Sequence, residues 1–179
     1  GYGEHNIQGI GDKHVPLIHN VMNTDFVVGI SDQATNNLNM IFNTEIGQRY
    51  LTAKKGLDVE LISRLPEFGF STIANILASI KLAKYMNLGK DEAIITVATD
   101  GADLYLSELE KTKKEFKGIY DESMCAEIYG QYLKGISTDH TLELNQKEKE
   151  RIFNLGYYTW VEQQGIDLED FEKRRDQNF

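Results

Sequence analysis

One cysteine, Cys125, in a chain of 179 residues leaves no internal disulfide, which fits a reducing compartment such as the cytoplasm. It stands between Met124 and Ala126 in an expected helix, where a small buried apolar role outweighs that of a nucleophile. No apolar run approaches the roughly 18 residues of a membrane-spanning helix, and no signal peptide opens the chain. Bases are outnumbered, 19 against 28 acids, for a formal net charge of −9, and no basic cluster stands out. That argues against nucleic acid or an anionic membrane as the main partner. The stretch 111–117, the most basic, is interrupted by Glu115 and reads as a solvated helix face. Internal repeats and low-complexity tracts are missing too. What remains is 41% hydrophobic and 26% charged, enough for a sizeable core in one or two domains.

Residues 4–12, Glu-His-Asn-Ile-Gln-Gly-Ile-Gly-Asp, form a glycine-spaced turn with an acid directly after it. Gly9 and Gly11 bracket Ile10, so the backbone is free to come into contact with a flat ligand, since no Cβ stands in the way. Asp25-Phe-Val-Val-Gly-Ile-Ser31 is then a short run of strand type, and Ser31 or Asp32 is placed to cap a helix through Leu38, Ile41, Phe42 and Ile46. Residues 51–68 are mixed, closed by Pro66 and Gly69. A second helix starts at Ser71 with Ile73, Ile76, Leu77, Ile80 and Ala83 on one stripe. Ala93-Ile-Ile-Thr-Val-Ala-Thr99 is nearly all apolar, the pattern of a strand buried on both faces of a parallel sheet. Helices are expected over 102–117, 121–134, 145–164 and 167–176, the third opened by a capping box of Asn145 and Glu148 and anchored by Ile152, Leu155 and Trp160. The order of elements indicates an α/β domain over 1–110 and a helical extension over 111–179.

Three stretches in this order resemble the cysteine synthase family (O-acetylserine sulfhydrylases) of fold-type II pyridoxal-phosphate enzymes. His5-Asn-Ile-Gln-Gly-Ile-Gly11 with Val15-Pro16 is similar to the family's His-Lys-Ile-Gln-Gly-Ile-Gly…Ile-Pro. Gly69-Phe-Ser-Thr72 is similar to its Gly-Ile-Ser-Ser-Gly-Ala, with Ile73 in place of the second glycine. Ile94-Ile-Thr-Val-Ala-Thr-Asp-Gly101 with Tyr105-Leu-Ser107 is similar to its Pro-Ser-Ser-Gly-Glu-Arg-Tyr-Leu-Ser, with Tyr105 one residue further from the glycine. The resemblance covers about residues 5–47 and 69–108. It implies a large domain with a mostly parallel sheet flanked by helices, and pyridoxal 5'-phosphate as cofactor. Gly9, Ile10 and Gly11 would line the cofactor wall. Thr99 would take the place of the serine that hydrogen-bonds the pyridine nitrogen, a neutral partner that favours β-elimination and β-replacement. Asp100 is the other residue placed for that position, where an acid would protonate the ring. Ser71 is a second cofactor candidate, although a plain helix N-cap also accounts for it.

Asp12 departs from the family, which has a small residue there. Beside an aminoacrylate intermediate it would act as general base towards incoming water or thiol, converting cysteine to serine and sulfide when water attacks. An ion pair with Lys13, or an Asx turn, is the plainer alternative. His14 and His19 read as satisfied turn or core histidines, and with His5 they make no convincing metal set. Asp103 reads as a favourable acid in a first helical turn, and no role is carried over from the family's Glu-Arg pair. The Schiff-base lysine, the substrate-carboxylate loop and the glycine-rich phosphate loop of the family lie upstream of its first motif, and no lysine here stands in a matching context. The chain also opens Gly-Tyr-Gly-Glu rather than with Met. The expectation is therefore the C-terminal portion of a cytoplasmic, homodimeric enzyme acting on cysteine, serine or an O-activated serine, inactive without its N-terminal half. A serine or threonine dehydratase or threonine-synthase-like activity on the same fold is one alternative. A non-catalytic regulatory domain, binding a partner through helices 121–179, is another.

Overall fold

The computed structural model describes residues 4–11 and 14–178. They form two compact units, the larger made of His5–Ile10 and Gly29–His140 and the smaller of most of the rest. Neither ends at residue 110, which lies inside a helix (Leu106–Glu115) that packs on the first helix of the larger unit.

The larger unit holds six helices: α1 (Asp32–Asn43), α2 (Glu45–Lys55), α3 (Val59–Arg64), α4 (Phe70–Met86), α5 (Leu106–Glu115) and α6 (Glu122–Ile128), the last continuing as a π-helix over Tyr129–Lys134. Ser31 caps α1 as expected, its side chain accepting from the Ala34 N–H. The helix does not run on to Ile46. Thr44 breaks it in extended conformation (φ −115°, ψ 149°) and caps α2 through the Gly47 N–H. A Cβ on Gly47 would lie 2.2 Å from the Ile41 carbonyl oxygen, so only glycine permits this tight join. Gly56 ends α2 in the left-handed region, and Asp58 caps α3, which resolves the mixed stretch after residue 50 into two helices. The core is aliphatic at its centre, with Leu38, Ile41, Leu51, Ile73 and Leu77 almost without exposed surface. Cys125, a free thiol, is buried in it.

The α4 stripe is rotated from the expected one. Phe70, Ile73, Ala74, Leu77 and Lys81 are buried, while Ile76, Ile80 and Ala83 are only half-buried. Residues 93–99 form no strand; all are exposed, Ile95 to 95% and Val97 to 66%. The expected doubly covered parallel strand is thus not formed among the described residues. A strand becomes buried only when neighbours supply its hydrogen bonds, and none is described beside this one.

The smaller unit contains β1 (Phe26–Val28) and β2 (Thr141–Glu143), paired antiparallel with Phe26 opposite Glu143. This is the one sheet among the described residues. It also contains α7 (Gln146–Tyr157), which passes into a π-helix over Tyr158–Gln163, and α8 (Leu168–Lys173). The capping box of Asn145 and Glu148 is present, both halves made. Phe153 and Phe171 fill this core, with Trp160 packed against them. Leu155, expected as an anchor, is 64% exposed. Arg174 is buried beside both phenylalanine rings and donates to the His19 carbonyl at 2.8 Å, so a cation closes an aromatic core. The architecture overall is mixed, mostly helical, with a two-stranded sheet.

Candidate functional site

Gly9, Thr99 and Asp100, among the residues singled out for chemistry, meet Ser71 and its neighbours at the first turn of α4. Gly69 precedes that helix without a side-chain cap, and its N–H donates to the Asp100 carbonyl at 2.8 Å. A Cβ there would meet the same oxygen at 2.6 Å, so glycine is what lets residues 69 and 100 touch. Ser71 is not the N-cap. It lies inside the helix, wholly buried, and its hydroxyl has no hydrogen-bond partner. Gly9 lies against it: a Cβ on Gly9 would come within 2.6 Å of that hydroxyl oxygen. Next along the helix, the Thr72 hydroxyl accepts the Thr99 N–H at 3.0 Å and lies 3.5 Å from the Thr99 hydroxyl.

Thr99 and Asp100 then make a small polar network. The Thr99 hydroxyl donates to Asp100 Oδ1 at 2.8 Å and the Tyr105 hydroxyl to Oδ2 at 2.5 Å. Partial burial draws the Asp100 carboxyl upward, but the hydroxyls of Tyr105 and Thr99 together outweigh it and hold the group below the usual carboxylate range. Burial and the adjoining carboxylate push the Tyr105 phenol up to about 12. Tyr105 also stacks on Phe70, ring centroids 4.4 Å apart, which fixes the hydroxyl in place. The result at neutral pH is a carboxylate with a donor on each oxygen, beside an exposed threonine.

Gly9, Thr99 and Asp100 therefore all meet α4 or its approach within one unit, to which Ile10 also belongs. Gly9, Ile10 and Thr99 are exposed, while Ser71 is closed in beneath Gly9. Gly11 belongs to the smaller unit, and Asp12 and Lys13 lie outside the described residues. His14 shares a hydrogen bond with Thr159 at 3.2 Å and His19 one with Thr24 at 2.8 Å. Among the described residues no group of histidine, cysteine and carboxylates could hold a metal ion. No helix among them is long and apolar enough to cross a membrane.

Two functional-looking residues escape a sequence reading. Thr72, which joins the helix to Thr99, sits one place beyond the serine that attracts attention. Lys81, 5% exposed, follows Leu77 by four residues and Ile73 by eight, a spacing that puts a charge on the buried stripe. Comparison with protein-family models, with curated proteins and with solved structures gave no match.

Proposed function

We propose that the chain forms one wall of the pyridoxal 5'-phosphate site of a cysteine synthase-like enzyme, catalysing β-replacement or β-elimination on cysteine, serine or an O-activated serine, with sulfide entering or leaving. The observation that carries this is the meeting of three distant stretches, around residues 9, 70 and 99, at one helix start. Those are the stretches whose sequence resembles the family. An arrangement in which Gly9 and Thr99 were held by different parts of the fold would have removed the basis for it.

The residues fit such a group as a wall rather than as an enclosure. Gly9 and Ile10 offer exposed backbone for a planar ring, and Thr99 an exposed hydroxyl for a ring nitrogen. When bound, pyridoxal phosphate supplies a heterocycle that withdraws electrons from the substrate α-carbon. The chain's own contribution at that end is proton control. Asp100 stays ionised because Tyr105 and Thr99 both donate to it, and the Thr99 hydroxyl would turn its proton from Asp100 to the ring nitrogen when the cofactor binds. Asp12, three residues after Gly9, is the base proposed to take a proton from incoming water or thiol. The Schiff-base lysine and phosphate loop would come from a preceding segment. That segment would also give residues 93–99 the strand neighbours that are not described here.

The test uses the natural protein with whatever chain accompanies these residues. It should carry bound pyridoxal phosphate, seen by its visible absorption, and release sulfide from cysteine. Thr99→Val should shift that absorption, and Asp12→Asn should slow turnover while the cofactor stays bound. A protein free of the cofactor, or one whose spectrum ignores Thr99, would end the proposal.

A further inference from the structure

Away from the start of α4, its far half opens on a cleft of about 300 Å³ within the larger unit. That is the lower end of the size range for small-molecule sites. Ile30, Ala34, Leu77, Tyr132 and Ile136 give it apolar walls, and Ser31, Lys81, Ser137, Asp139 and His140 its polar groups. One side is the π-helix over Tyr129–Lys134, an irregularity found disproportionately at functional sites.

Lys81 is the informative residue. The residue is 5% exposed, and its ammonium donates to the Asp139 backbone carbonyl at 2.6 Å and to Asp139 Oδ1 at 2.9 Å. An ammonium has three N–H donors, and a buried one left over is costly. The third has no acceptor among the described contacts, and Lys81 lines the cleft. Asp139 is more than half exposed, and Ser137 also donates to its Oδ1, leaving Oδ2 facing only the His140 ring at 3.8 Å. The hydroxyls of Ser137 and the ammonium of Lys81 keep that carboxyl ionised. Ser31 spends its oxygen accepting from Ala34, so its hydroxyl proton is free to donate at the positive end of α1. Asp32, in the same turn, is engaged by the Asn6 N–H.

We infer that this cleft binds a small α-amino acid as its zwitterion, carboxylate on Lys81 and Ser31, ammonium on Asp139, apolar side chain against Tyr132 and Ile136. Charge balance selects the zwitterion. Lys81 and Asp139 already cancel, so a simple carboxylate would bring an uncompensated negative charge and a simple amine a positive one. A zwitterion adds neither, and the cleft presents both signs side by side. The site is distinct from the residues around Gly9 and Thr99, and the inference does not rest on the cofactor reading.

The test is an NMR titration of the natural protein, with whatever chain accompanies these residues, using L-valine and separately isobutylamine and isovalerate, which lack its carboxylate and its ammonium. Valine should shift the amides of residues 30–34 and 135–140 saturably, and the two analogues should bind at least tenfold more weakly. Lys81→Met should abolish the shifts. Asp139→Asn, at an exposed side chain that leaves the backbone bond to Lys81 intact, should weaken them about tenfold even if Lys81→Met fails to fold. Equal weak binding of all three probes, or no saturable shift at the cleft, overturns the inference and leaves Lys81 as a clasp between α4 and the loop before β2.

Discussion

Residues 70–86 and 93–99 are both rich in isoleucine and alanine, yet one buries a stripe of side chains in the core of its unit and the other is bare. The difference lies in the backbone. A helix satisfies its own N–H and C=O groups and needs only a surface for its apolar stripe. An extended segment needs a neighbour for every hydrogen bond before it can be buried. The backbone of residues 93–99 has two ties to α4: Asn75 donates to the Val97 carbonyl at 2.9 Å, and the Thr99 N–H reaches Thr72. Apolar composition therefore states that a segment wants cover, not that it has found it.

Mutations ranked by expected effect sharpen this contrast. Leu77→Ala removes a side chain with no exposed surface and should cost about 2–5 kcal/mol, read as a fall in midpoint on urea unfolding. Thr72→Val leaves the Thr99 N–H without its acceptor, and the same assay should show a loss of about 1–3 kcal/mol. Asn75→Ala cuts a solvent-exposed tie and should cost less than about 1 kcal/mol. Ile95→Thr should change stability by less than about 0.5 kcal/mol while reducing self-association in sedimentation. If Ile95→Thr proved as costly as Leu77→Ala, residues 93–99 would be covered in solution and the contrast would fail.

The network at the foot of that segment adds a pH test. Tyr105 is raised on folding from 10 to about 12, so the folded state resists losing its proton. The stability this supplies is complete below pH 10 and disappears as the pH climbs towards about 12. Asp100 works in the opposite sense: its lowered pKa contributes above the usual carboxylate range, and that share is lost on acidification. Tyr105→Phe should flatten the alkaline limb of a stability–pH curve between 10 and 12 and leave its shape near neutrality unchanged. An unaltered alkaline limb would mean that Tyr105 and Asp100 are not paired.

Local rules made much of this legible. Ser31 and the Asn145–Glu148 box mark helix starts in the residues themselves, since capping is satisfied within a few positions, whereas the ends at Gly56 and Asp58 fall in the stretch read as mixed. The break at Thr44 was not visible, because the need for Gly47 arises from the Ile41 backbone, which only the folded turn brings close. Around the candidate site, Gly9, Thr99 and Asp100 stand out by type, but their meeting at α4 does not. The N-cap that also accounted for Ser71 is not formed, because a hydroxyl near a helix start looks the same whether it caps the helix or is buried at its second position.

The helix starts at Ser31 and Asn145 were thus settled by neighbouring residues, whose interactions act over three or four positions, and the acidic balance by composition alone. Which face of α4 is buried, where Lys81 finds Asp139, and whether residues 93–99 gain strand partners were decided only by tertiary packing. Those outcomes depend on groups up to 58 residues apart, and nothing in the local chain restricts how such groups meet.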